Sequence, residues 1–413
     1  MNDYDTYIAL NRLGLGARPG DAKHVGRDPR AWLKSQIEPQ AGVAPAGPGG
    51  AEVATSEDFR TFITRRLGQI VATERPFYER WIGFWSNHFT VSTTNGAVGN
   101  YASAYEREAI MAHAFGSFAE LLRAVVRHPA MLHYLDNVRS IGPHSVAGMS
   151  SLNGLNENLA REILELHTLG VDGGYGQPDV YQFAKVLTGW TVNKSGQYQF
   201  IIERHEPRDK ILLGKTIAWG RDDEGETALR LLADHPSTAR FVAWKLARHF
   251  VADDPPASAV ERLTAVFAET GGDLTAMAHA VIDLPEVWQE AQVKVRRADE
   301  FVIAALRATG IEFEPIEPYN WMKSLGQKPY GASAPEGWSD EAEDWLAPSS
   351  IDERIKLCFL IASRVDRAGD PRVLAKAVLG PYLSQTSARA IAVAESREQA
   401  VALMLASPEF QQR

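Results

Sequence analysis

Residues 156–176, NENLAREILELHTLGVDGGYG, carry three glutamates, an arginine and a histidine within little more than three helical turns. At about 100° per residue, Leu159, Ile163 and Leu166 share a stripe that faces the core. Glu157, Arg161 and Glu165 follow at i,i+4, where opposite charges pair on a helix surface for roughly a few tenths of a kcal/mol. Asn153 or Asn156 can cap the start, His167 in the last turn suits the negative end of the dipole, and Gly170 can terminate the helix. Glu162 is left over. It sits roughly 60° from both Glu165 and Leu159, between the charged face and the buried stripe. A carboxylate at such a border is either paired with a base from elsewhere or kept for chemistry. Glu162 and Glu165, three apart, can share a metal or act as an acid and a base. His167 lies roughly 140° from Glu162, so an unbroken α-helix does not bring both to one ion.

Other polar residues stand among apolar neighbours. His88 ends the aromatic run FWSNHF, Asp136 and Asn137 end MLHYLDN, and His205 and Glu206 precede Arg208, Asp209 and Lys210. Taken singly, each reads as structural: a hydrogen-bonded core histidine, a helix C-terminal polar pair, a solvated turn. Gathered by the fold, they offer His, Asp and Glu ligands to a divalent cation, with no preference among zinc, manganese, calcium and iron. The cofactor stays unknown, and no haem attachment motif occurs. GxSxG, Walker and HExxH motifs are absent, and GLGARPG follows no strand.

The elements that would position these residues are mostly helical. PFYERWIGFWSNHF sets Phe77, Trp81, Phe84, Trp85 and Phe89 three and four apart, one buried stripe. Helical periods run on through AYEREAIMAHAF, SFAELLRAVVRHPAMLHYL, VYQFAKVLTGW, PSTARFVAWKLARHFVA and beyond. QYQFIIER and KILLGKTIAW read as strands joined by the turn HEPRDK into one hairpin. The fold class expected is mainly α: a multi-helix globular fold with a small β-hairpin insertion and a long Trp/Pro-rich loop. It is a single large domain over 1–413, or two docked subdomains, about 1–192 and 223–413, joined by the insertion 193–222. Residues 39–53 read as a flexible connection. In the loop 325–350, Trp338 and Trp345 either wall a cleft or fasten the loop to the core.

Lys and Arg number 43 against 52 Asp and Glu, and the formal net charge of −9 argues against nucleic-acid or anionic-membrane partners. The single cysteine, Cys358, lies in an apolar run, which excludes a disulfide framework. With no signal segment and no long apolar run, the chain as written is expected in the cytoplasm.

ALNRLGLGARPGD, FWSNHFTV, HPAMLHYLDN, NENLAREILELHTLGVDGGY, DVYQFAKVLTGW, HPSTARFVAWKL, LGQKPYG…PEGW and the closing SPEFQ occur in the order seen in the DUF1800 family of bacterial proteins, which the chain resembles over essentially its whole length. The resemblance implies a full-length member and no particular reaction. Its motif positions fall on Asn87, His88, Asp136, Asn137, Asn156, Glu157, Asn158, Arg161, Glu162, Glu165, His167, Trp190, His205 and Lys210. Members commonly look exported and are often encoded beside a sulfatase-like protein, so the resemblance implies a protein partner of that kind. This chain departs in lacking an export signal and in having His205-Glu206 where members tend to have His-Asp.

Two functions follow. In the first, a helical cleft gathers Glu162, Glu165, His88 and His205, with or without a divalent metal, for hydrolytic acid/base chemistry on a polar, glycan-like substrate. Glu162 is then the general base or a metal ligand, His88 and His205 are ligands or proton carriers, and Arg161 or Lys210 holds an anionic group. Asp136, Asn137, Asn156, Glu157, His167 and Trp190 join Lys210 as substrate-binding candidates. In the second, the same residues form a buried structural network in a non-catalytic binding or accessory protein.

Overall fold

The computed structural model describes residues 3–37, 58–150, 154–291, 294–365 and 369–413. Helices dominate, and the only sheets among the described residues are two antiparallel pairs of three-residue strands. The protein is mainly α, as its periodicity predicts. No described helix is long and apolar enough to cross a membrane. Asn153 and the connection 39–53 lie outside the described residues.

The elements that matter for the site are helices α1 (Phe59–Ala72), α2 (Pro76–His88) and α3 (Asn158–Glu162), the last continuing as a π-helix over Ile163–Thr168. After them come α4 (Gln177–Val186), α5 (Asp223–Ala233), α6 (Pro236–Phe250) and α7 (Ala298–Thr309). Pro76 and Pro236 occupy first-turn positions, where a missing N–H costs nothing. The aromatic stripe of α2 is buried throughout, Trp81 and Trp85 completely. Such rings each remove about 150–250 Å² from water, roughly 4–6 kcal/mol per ring at 25 cal/mol/Å². Phe250 of α6 packs on Trp81 at 6.2 Å between ring centres, so α2 and α6 share a core.

The hydrophobic interior falls into two main clusters. One is built by α2, α3, α4, α5 and α6, the other by α1, α7 and the C-terminal helices. At their seam, Glu300 of α7 accepts from Arg80 of α2 (2.6 Å) and from Arg413 (3.0 Å). Burial pushes the Glu300 carboxyl up, but the guanidinium groups of Arg413, Arg80 and Arg297 outweigh it and hold it well below the usual carboxylate range.

The strand region differs from the single hairpin expected across HEPRDK. Strand β1 (Trp190–Val192) pairs with β2 (Tyr198–Phe200), and β3 (Lys210–Leu212) pairs with β4 (Lys215–Ile217). KILLGKTI folds on itself because Leu213 and Gly214 both take positive φ, 51° and 71°, the backbone of a tight two-residue hairpin. Trp190 anchors the first hairpin beneath α5: a Cβ on Gly225 would lie 1.9 Å from its ring, so only glycine permits the approach.

The Trp/Pro-rich loop is fastened along its length. The Asn87 side chain donates to the Trp338 carbonyl and accepts from its amide, both at 2.8 Å. Gly337, at φ 83°, passes so close to Asn87 that a Cβ would sit 2.5 Å from its carbonyl oxygen. Further on, Asp340 accepts from His249 (2.9 Å) and Arg297 (3.3 Å), and the Trp345 indole donates to the Ser339 carbonyl (3.1 Å). Trp345 is therefore an anchor of the loop, whereas Trp338 also lines a cavity.

Candidate functional site

The segment carrying Glu162 is not the unbroken α-helix that its spacing suggests. From Ile163 onward the helix widens to i→i+5 bonding: the Leu169 amide donates to the Leu164 carbonyl (2.9 Å) and the Thr168 hydroxyl to the Ile163 carbonyl (2.6 Å). Single π turns of this kind are rare and recur at functional sites. The wider turn rotates everything after Ile163. Leu166, expected in the buried stripe, is only half-buried, while Leu164 and His167 turn fully inward. Gly170 ends the segment at φ 83°, as expected.

The rotation also changes the charge pattern. Arg161 pairs with Glu157 at 2.9 Å, the i,i+4 contact read from the sequence, and its remaining contacts go to Gln177. Glu165 instead accepts from the Tyr175 hydroxyl at 3.4 Å. Glu162 is half-buried and has no hydrogen-bond or ion-pair partner among the described residues. Burial raises its carboxyl above the usual range, neighbouring Glu165 adds to this, Arg161 opposes it, and Glu336 of the loop adds again. Tyr134 is pushed up to about 12 by burial and by Glu162, and Tyr175 to about 12 by burial and Glu165.

Beneath this turn lies a buried basic group. His88 uses Nε2–H to donate to the His167 carbonyl (3.2 Å), which leaves its Nδ1 buried without a partner among the described residues; His167 Nδ1 is likewise buried and unpartnered among them. The two rings stand 6.3 Å apart. Burial, with Lys245 of α6 second, holds His167 down to about 3, and burial, Lys245 and His167 hold His88 well below the usual range. His167 is thus neutral and enclosed, not the charged dipole partner expected from its last-turn position. Lys245 makes no hydrogen bond or ion pair among the described residues. Burial lowers its ammonium, against the pull of Asp340 and Glu336. Glu336 therefore acts on both Glu162 and Lys245, linking the loop to the turn and to the basic group.

The remaining candidates go elsewhere. His205 is fully buried with both ring nitrogens spent, Nδ1 with the Thr188 carbonyl (2.8 Å) and Nε2 with Glu224 (3.0 Å). Lys210 donates to Glu224 and to the Glu206 carbonyl, both at 2.6 Å. Neither is available to hold a metal or a substrate anion. The four candidate metal ligands, His88, Glu162, Glu165 and His205, are not assembled, and no three His, Cys, Asp or Glu side chains among the described residues are gathered to hold an ion. Asn137 ties the chain to β1 by donating to the Leu187 and Trp190 carbonyls (3.1 and 3.0 Å), and Trp190 is wholly buried. The helix is capped at Glu157 without a side-chain cap bond, not at Asn156 as expected; Asn156 accepts from the Asn158 amide (2.9 Å) and donates to the carbonyl of Asp136 (3.4 Å), whose φ is 56°. Glu157 is committed to Arg161 and Gln177.

Residues 8–412 match the family described as "Protein of unknown function (DUF1800)". The chain belongs to the DUF1800 family. No curated protein and no solved structure matches it. In this DUF1800 chain, the stretches FWSNHFTV, HPAMLHYLDN, NENLAREILELHTLGVDGGY, HPSTARFVAWKL and PEGW supply His88, Tyr134, the π turn, Lys245 and Glu336 respectively. Sequence reasoning on single residues missed Lys245, Glu336, Tyr134 and Tyr175. Only Lys245 left a signal: it stands three after Val242 and four before His249, both buried, on the edge of an apolar stripe.

Proposed function

We propose that the protein is an acid/base hydrolase acting on a polar, glycan-like substrate at Glu162 and Glu165. The observation that carries this reading is Glu162 itself, a half-buried carboxyl raised above its usual range and left without a partner among the described residues. A carboxyl raised in this way is suited to holding and passing a proton. A raised carboxyl keeps a proton for a leaving group, while a second carboxylate one turn away activates water or attacks directly, the division of labour of two-carboxylate glycoside hydrolysis. Tyr134 and Tyr175 give such a substrate flat, hydroxyl-bearing surfaces.

The accessory-protein reading draws on a different observation: Asn137, Trp190, His205 and Lys210 are all absorbed into structural contacts. Glu162→Gln separates the two. For an enzyme, the variant keeps its stability within about 0.5 kcal/mol and loses about 10²- to 10⁴-fold in turnover on whichever aryl glycoside or aryl ester the wild type cleaves. Clear destabilisation by Glu162→Gln, or a wild type inert toward both substrate classes, refutes the hydrolase.

A further inference from the structure

Where the two cores meet, α1, α2, α7 and the segment 327–338 line a half-open cavity of about 150 Å³, a volume comparable to one that holds a benzene-sized molecule in an apolar protein interior. Seams between packed units are common places for small-molecule sites. One wall is apolar, with Ile63, Leu67, Ile303 and Met322; the other is the polar face of α2.

Most polar groups of that wall are already used. Arg66 bridges Glu79 (2.6 Å) and Glu106 (2.7 Å), Tyr330 donates to Glu106 (2.9 Å), and Asn87 and Gln327 bond to backbone. Several groups are not used among the described residues. Only Oε2 of Glu79 is bound, which leaves Oε1 as an acceptor, the Ser86 hydroxyl is buried with no partner, and the Thr90 hydroxyl and Trp338 indole, which also line the cavity, make no hydrogen bond. Three carboxylates line the cavity, Glu79, Glu106 and Asp299, against two guanidinium groups, Arg66 and Arg297. That balance favours a cation over an anion.

Gly83 stands between Glu79 and Ser86 on the same face of α2. Glycine in a helix interior is unfavourable relative to alanine. No close neighbour demands it, because a Cβ there would meet nothing within 4 Å. It lines the cavity and is exposed, so a large side chain there would narrow the opening.

We propose that this cavity binds a small organic cation, a primary amine bearing a ring-sized apolar body, with the ammonium on Glu79 and the body against the wall of α1 and α7. The test is calorimetric titration of the full chain with benzylamine, alongside benzyl alcohol and benzoate. Saturable binding of benzylamine, at least about tenfold tighter than either comparator, is the expected result, since a hydrogen bond to a charged group accounts for that much discrimination. Gly83→Leu fills the opening with a better helix former, so it should abolish binding without lowering the melting temperature. Glu79→Gln should weaken binding about tenfold; because Arg66 also relies on Glu79, the Gly83→Leu result decides if that variant unfolds. No saturable binding of benzylamine, equal binding of benzoate, or undiminished binding to Gly83→Leu overturns the proposal. Glu162→Gln should leave benzylamine binding unchanged, which keeps this site separate from the proposed hydrolytic one.

Discussion

Glu224 and Glu162 show how differently two acidic residues can be used. Glu224 is 2% exposed and accepts from His205, Lys210 and the Gly220 amide. Burial pushes its carboxyl up, but these hydrogen bonds outweigh burial and hold it below the usual range. Removing one partner of a buried pair strands the other, at a cost of about 3–5 kcal/mol. Glu224→Ala should therefore lower unfolding free energy by that amount in urea titration, and the double replacement Lys210→Met with Glu224→Leu should recover most of it. A loss below about 1 kcal/mol would mean that the Lys210 ammonium finds water instead. Glu162 has no such partners, and its replacement by glutamine is expected to be silent in stability.

The π turn is the element on which the proposed site depends. It keeps Glu162 and Glu165 at the surface while rotating Leu164 and His167 inward, an arrangement that a regular α-helix over the same residues would not give. Thr168 is wholly buried, and its hydroxyl reaches the Ile163 carbonyl five residues back. Thr168→Val keeps the shape but loses this bond, at a cost of about 1 kcal/mol. The denaturation midpoint should fall with an unchanged slope, and any hydrolytic activity should fall more than stability does. If both are unchanged, the hydroxyl does not support the turn.

At the level of the whole molecule, the fold carries several neutral buried histidines. His128 and His167 are held down to about 3 by burial first and then by Arg107 and Lys245 respectively, and His88 is held well below the usual range for the same leading reason. In the unfolded chain each takes up a proton below about pH 6.5. Because the folded values are depressed, the contribution is fully present above that pH and is lost as pH falls from there, for His128 and His167 toward about 3. The slope is roughly 1.4 kcal/mol per pH unit for each histidine. Urea midpoints measured from about pH 7.5 down to pH 5 should decline steeply. A flat profile over that range would show that these rings are protonated or hydrated in the native state. Glu300, held low at the seam of the two cores, shifts stability in the same direction only once pH falls below the normal carboxylate range.

The sequence by itself determined the helical class, the buried stripe of α2, the Glu157–Arg161 pair, the termination at Gly170 and the family, because apolar periodicity, i,i+4 spacing and glycine conformation are local properties of the chain. It also singled out Glu162, since that residue fits neither the charged face nor the buried stripe. Tertiary structure decided the rest. A helical wheel assumes one residue spacing throughout, so it could not show the π turn that brings His167 inward. Nor could it pair His205 with Glu224, or place Lys245 and Glu336 near residues 78 to 174 positions away along the chain. Those contacts arise only when α2, α3, α6 and the Trp/Pro-rich loop pack together, and their strength depends on a burial that no single stretch contains.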